Sequence, residues 1–152
     1  MNARGLSRLR GDLQRAKVHR GTAEAQIADT RTNSEAAVMI KSSDIPVCFV
    51  RDRIAGALRV APEFCEVAKL LHYEPGQTFK LHSDFLETTT PAMREVVLRY
   101  GQRVATFLLY LSDEYAGGET EFPNAGFQFK GRKGDGLFLA PAPKGADWLI
   151  SI

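Results

Sequence analysis

His82 and Asp84 stand two residues apart in the stretch FKLHSDF, residues 79–85, with Ser83 between them. On an extended strand, side chains at i and i+2 share a face. An imidazole and a carboxylate therefore converge, while Leu81, Ser83 and Phe85 point the other way. Such a pair supplies two neighbouring ligands of a two-histidine, one-carboxylate facial triad, the set that leaves positions open on a non-haem Fe(II). The same spacing also suits a surface hydrogen-bonded pair at a strand end, and the pair alone does not decide between the two.

The elements that must hold this pair follow from the patterning. Val67, Lys69, Leu71 and Tyr73 alternate with Glu66, Ala68, Leu70 and His72, and Pro75-Gly76 closes that run as a turn. Strands are expected around 77–85, 103–111, 126–130 and 136–140, with SDEYAGGET and GRKGDG as turns, the rhythm of a sandwich or jelly roll. Residues 86–102, LETTTPAMREVVLRYGQ, interrupt it with a long connection of the kind that forms lids and binding loops. Upstream, Leu6, Leu9 and Leu13 fall at helical spacing and predict a helix over 6–18, with Asn2 or Ser7 near its start. The segment from His19 to Ile40 carries no sustained period and reads as irregular, with at most one short strand. From Asp44 a cap, Pro46 and the stripe Val47, Val50, Ile54 and Leu58 predict a second helix before Pro62.

The fold class expected is α+β: a double-stranded β-helix (jelly-roll) core over residues 66–152, with residues 1–65 as a helical and irregular support packed outside, all in one structural domain. A chain of 152 residues with 44% hydrophobic and 25% charged residues suits a single core. The net charge of +2, with no run of like charges, argues against a nucleic-acid partner. No stretch approaches the ~18 apolar residues of a membrane span, so no membrane partner is expected. Cys48 and Cys65 lack metal or disulfide spacing and read as reduced thiols, consistent with a cytoplasmic protein.

Four ordered blocks bear on the His-x-Asp pair: Tyr73 to Phe85 (YEPGQTFKLHSDF), Arg103 to Asp113 (RVATFLLYLSD), Gly117 to Pro123 (GGETEFP) and Lys133 to Phe138 (KGDGLF). Together they resemble the prolyl 4-hydroxylase family of Fe(II)- and 2-oxoglutarate-dependent dioxygenases. The upstream DTRTNS, residues 29–34, is similar to the arginine-threonine-serine stretch that precedes this domain in bacterial and algal-type members. The resemblance implies that His82 and Asp84 are the first two iron ligands and that Tyr73 and Thr120 donate hydroxyls to the distal carboxylate of 2-oxoglutarate. It also implies that Arg103 faces the substrate, a proline-containing peptide or protein, and that Fe(II), 2-oxoglutarate, O2 and ascorbate are required. A buried dicarboxylate tail needs such donors, because an unpaired buried charge is prohibitively costly. Without the blocks, Tyr73 reads as a strand aromatic, Thr120 as turn chemistry and Arg103 as a solvated strand start. His72, on the face opposite Tyr73, reads as a strand histidine with a local partner, and His19 as solvent-exposed.

The chain departs from the family pattern in two places. No histidine follows His82 to supply the third iron ligand, and no basic residue stands at the position expected to pair with 2-oxoglutarate. One account is a chain that stops just before that histidine, without the closing strands. The other takes GADWLISI, residues 145–152, as a later family segment brought forward by an internal deletion, which would put Asp147 where the family has its cation. Two functions follow: an oxygenase hydroxylating a prolyl residue, with weakened activity in this chain, or a non-catalytic peptide-binding or assembly module on the same scaffold.

Overall fold

The computed structural model describes residues 11–18, 24–38 and 45–141. Readings that involve residues 1–10, His19, Asp44 and the segment from residue 142 onward lie outside them. In chain order the elements are β1 (Gln14–Arg15), β2 (Lys17–Val18), β3 (Gln26–Ile27), β4 (Ser34–Ala37), α1 (Ile45–Leu58), a 3-10 turn (Pro62–Phe64), β5 (Lys69–His72), α2 (Pro91–Tyr100), β6 (Thr106–Leu109), β7 (Thr120–Phe122), a 3-10 turn (Pro123–Ala125), β8 (Phe127–Phe129) and β9 (Gly136–Leu139). They belong to two compact units that alternate along the chain, one from Met1–Ala16 with Asn33–Pro75 and the other from Lys17–Thr32 with Gly76–Ile152.

In the first unit, β1, β4 and β5 form an antiparallel sheet in that order, with Glu35 opposite both Gln14 and Leu71. Ala36 is buried in its central strand, and the Lys69 ammonium meets the Glu35 carboxylate at 2.9 Å. The next residue after β1, Ala16, is fully buried and donates its N–H to the Asn33 carbonyl at 3.0 Å. Helix α1 half-buries Val47, Val50, Ile54 and Leu58 beside the buried Ala55, the stripe the sequence shows. It stops where Arg59 turns left-handed at φ 55°, with Arg59 N–H donating to the Gly56 carbonyl and Val60 N–H to the Ala55 carbonyl. That is the double hydrogen bond of a Schellman cap.

In the second unit, β2 pairs with β3, β6 with β9 and β7 with β8, all antiparallel. Its core gathers Phe122 and Leu139, with Leu108 and Leu137 packed against them, so one face of β6–β9 is apolar and inward. The connection from Leu86 to Gln102 holds α2, started by the Thr90 hydroxyl accepting from Met93 N–H and ended at Gly101, whose φ of 87° suits glycine. The Gln102 side chain then ties the two ends: its oxygen accepts from the Leu86 and Arg103 N–H groups, and its amide donates to the Leu86 carbonyl.

Four sequence expectations are corrected. Within the span 6–18, residues 14–15 and 17–18 are strands rather than helix, because pairing with β4 and β3 outweighs a helical propensity worth tenths of a kcal/mol per residue. The segment read as irregular contains two strands, β3 and β4. Residues 77–85 make no continuous strand, and Thr120 begins β7 rather than closing a turn. The class itself, helices with antiparallel strands, is as expected.

Candidate functional site

The Pro75-Gly76 turn forms where the sequence places it, with Gly76 at φ 82°. The chain then runs beside residues 30–32: Thr32 N–H donates to the Thr78 carbonyl and Lys80 N–H to the Thr30 carbonyl, both at 2.8 Å. Thr78 N–H donates back to the Thr32 hydroxyl at 2.7 Å. These bonds flank Arg31 and Phe79, making them a non-hydrogen-bonded antiparallel pair, the arrangement that brings opposite side chains closest. A bend at Leu81 follows, and Leu81 stays exposed while His82 turns inward.

The His82 Nδ1 lies 2.8 Å from the Lys80 carbonyl, an atom that only accepts, so Nδ1 carries the proton. In the neutral ring, Nε2 then presents its lone pair, and it lies 3.7 Å from Asp84 Oδ1. The other carboxylate oxygen, Oδ2, accepts from the Thr106 hydroxyl of β6 at 2.7 Å. Each side chain thus has its rear atom held and its front atom turned toward the other. The pair is 16% and 23% exposed, shielded from bulk water yet reachable.

Two donors bound to one first-row metal ion at about 2.0–2.2 Å stand no more than about 4.4 Å apart, and 3.7 Å lies within that limit. An imidazole fixed by a carbonyl and a carboxylate fixed by a hydroxyl are the donor chemistry and outer-shell support that a metal takes. The pair fits Fe(II) as two of its ligands. Among the described residues, no group of three His, Cys, Asp or Glu side chains is placed to hold an ion.

Asp84 also lines a cavity of about 310 Å³ whose other walls include Phe122, Phe127, Leu137 and Leu139. An apolar pocket with one charged wall suits an organic ligand with few polar groups. Thr120 is buried, and its hydroxyl meets the Tyr110 hydroxyl at 2.7 Å. Burial raises the Tyr110 phenol above its ordinary range, partly offset by the bond to Thr120. Tyr115, whose hydroxyl donates to the Gly131 carbonyl at 2.7 Å, is raised as well, first by burial.

The structure therefore brings His82 and Asp84 together and buries Thr120 within the same unit. Arg103 is half-buried at the end of the connection that Gln102 closes. Tyr73 belongs to the first unit, where it follows β5 and is half-buried. His72, read as bland, pairs with Glu74 at 2.7 Å. Sequence reasoning passed over Thr106, Tyr110, Phe79 and Arg31. Thr106 and Tyr110 lie in the RVATFLLYL block, and alternation from Thr106 would have put Leu108 and Tyr110 on its face. No helix among the described residues is long and apolar enough to cross a membrane.

Residues 68–143 match the model of the 2OG-Fe(II) oxygenase superfamily. Prolyl 4-hydroxylase 1 of Arabidopsis thaliana is 39% identical over 100 residues, 65% of this chain and 34% of that protein. Probable prolyl 4-hydroxylase 9 of the same plant is 33% identical over 159 residues, 88% of this chain and 54% of that protein. The chain thus spans about a third to a half of the length of these relatives. The crystal structure of the viral collagen prolyl hydroxylase of Paramecium bursaria Chlorella virus-1, in its 2OG complex, superposes with a TM-score of 0.59 at 20% identity, covering 80% of this chain and 70% of that one. The fold is shared.

Proposed function

The chain belongs to the 2OG-Fe(II) oxygenase superfamily, and from that premise we propose that it is a prolyl 4-hydroxylase-like dioxygenase built on a double-stranded β-helix core, hydroxylating a prolyl residue in a peptide or protein. The observation that carries this reading is the convergence of His82 Nε2 and Asp84 Oδ1 at 3.7 Å with their rear atoms held by Lys80 and Thr106. Iron bound there with 2-oxoglutarate and O2 would supply the oxidising equivalents for C–H hydroxylation, with succinate and CO2 as by-products and ascorbate keeping the metal reduced. The protein's own part is positional. The family resemblance assigns the 2-oxoglutarate tail to hydroxyls at Thr120, which Tyr110 braces, and at Tyr73, and makes Arg103 the cation offered to the substrate.

The test is succinate release from 2-oxoglutarate with Fe(II), ascorbate and a proline-rich peptide. Peptide-stimulated release that disappears in His82→Ala and Asp84→Ala is the expected result, and release indifferent to both substitutions overturns the proposal. Tyr73→Phe and Thr120→Val should raise the 2-oxoglutarate KM more than they lower kcat.

One observation favours a second reading, a non-catalytic peptide-binding or assembly module. His82 is the last of the three histidines, and no third ligand joins the pair among the described residues. Peptide binding without any release of succinate would select it.

A further inference from the structure

His82 is held by more than its hydrogen bond. Its ring stacks on Phe79 with centroids 3.5 Å apart and planes 13° from parallel. The Arg31 guanidinium carbon lies over the same Phe79 ring, 4.5 Å from its centroid. An imidazole stacked that closely leaves no room for a guanidinium on its own side, so the two sit on opposite faces of Phe79. The order is cation, phenyl, imidazole.

The physical logic of this sandwich lies in the aromatic quadrupole. Two π faces laid directly on each other repel, and aromatic pairs prefer offset or edge-on arrangements. A cation on the far face draws ring density toward itself and away from the face that meets the imidazole, so Arg31 favours the stack that Phe79 alone would resist. Arg31 is itself immobilised: it is 9% exposed and donates from its guanidinium to the Lys17 carbonyl at 3.0 Å. The backbone ladder at residues 30–32 and 78–80 fixes the Arg31–Phe79 pairing, and the bend at Leu81 returns His82 onto it. Lys80 fixes one ring nitrogen, but rotation about that single bond would still let the ring tilt. Stacking removes that freedom.

We propose that Arg31 and Phe79 are positioning residues that act through His82, fixing the plane of its imidazole so that Nε2 faces Asp84. The proposal deepens the metal-site reading and rests on it for its functional consequence, though the ring order itself is measurable without metal. Neither residue touches the reacting atoms in this role.

The experiment uses the whole chain with 15N-labelled histidine, metal-free, at a fixed pH well above the imidazole range of about 6.5. In the wild type, the His82 ring protons should be shifted upfield by the Phe79 ring current, with one protonated and one unprotonated ring nitrogen. Phe79→Leu should abolish the upfield shift and Arg31→Gln should diminish it, while Nδ1 stays protonated in both because the Lys80 carbonyl still holds it. Phe79→Tyr should preserve the wild-type pattern. Titration with Co(II) alone should then show affinity roughly tenfold weaker in the two disrupting variants, the usual size of an outer-shell loss, and near wild type in Phe79→Tyr. Circular dichroism separates this from unfolding.

A wild-type His82 without an upfield shift overturns the proposal even if Phe79→Leu fails to fold, and so do unchanged His82 signals in a folded Arg31→Gln. If His82→Ala binds Co(II) as tightly as wild type, the metal-site reading falls, and the metal-free spectra still decide whether the stack orders the ring.

Discussion

The Thr106 hydroxyl decides which carboxylate oxygen of Asp84 is free. By occupying Oδ2 at 2.7 Å it leaves Oδ1 on the His82 side, so Thr106→Val, which keeps the shape and removes the donor, should weaken Co(II) or Fe(II) binding about tenfold with little change in melting. Equal affinity in the two proteins would remove Thr106 from the site. Tyr110 allows a prediction about pH. Its phenol is raised by burial, so the unfolded chain loses that proton first. Stability from this group is whole below the ordinary tyrosine value of about 10 and is lost as pH rises from there through the raised folded value. The denaturation midpoint of wild type should fall across that alkaline window, and Tyr110→Phe should reduce the fall while lowering stability at neutral pH through the lost bond to Thr120. At this scale, the His82–Asp84 pair was legible because an i, i+2 spacing is local. Thr106 and Tyr110 were not, nor was the contact of Arg31 with Phe79, because these roles exist only across paired segments that one strand's pattern does not encode.

The elements show the same division between local and distant causes. Helix α1 was legible from its stripe, the Pro75-Gly76 turn from its dipeptide and the core of β6 from alternation. The strands β1 to β4 were not, since segments of two to four residues carry too little periodicity to separate from loop, and their partners lie elsewhere in the chain. The Schellman cap of α1 places Arg59, a side-chain-bearing residue, at φ 55°. Arg59→Gly should therefore stabilise the protein by about 0.5–1 kcal/mol, read from chemical denaturation, and a neutral or negative result would mean that the Arg59 side chain compensates. Gly131 tests the opposite case. A Cβ there would run into the Tyr110 ring, which is held by Thr120, while the Gly131 carbonyl is held by Tyr115. With both neighbours anchored, Gly131→Ala should cost about 1–3 kcal/mol. Gly136→Ala meets the tip of Phe107, a half-exposed ring free to swing, and should cost less.

At the scale of the whole chain, the number of protein ligands about a bound metal is what a binding or rate experiment can read. The four sequence blocks made the class and family legible from 152 residues, because each carries turn or ligand residues at fixed offsets. The count of histidines was equally legible, and it sets up the least expected behaviour. His72 is engaged with Glu74 in the first unit, and no third ligand stands with His82 and Asp84 among the described residues. A metal held by two protein donors keeps an extra coordination position open to solvent. Free imidazole is the side chain of the ligand this family uses there, and it binds the same borderline metals. At metal concentrations below saturation, added imidazole should therefore raise both Co(II) affinity and peptide-dependent succinate release, passing through a maximum before excess imidazole strips or crowds the metal. In a site with three protein ligands, imidazole competes with 2-oxoglutarate for the remaining positions and lowers the rate from the first addition. His82→Ala sharpens the comparison, since a site left with one protein ligand should need far more imidazole to respond. Monotonic inhibition of wild type would show that the chain completes its own metal site, and a rise followed by a fall would show that solvent imidazole supplies what the described residues lack.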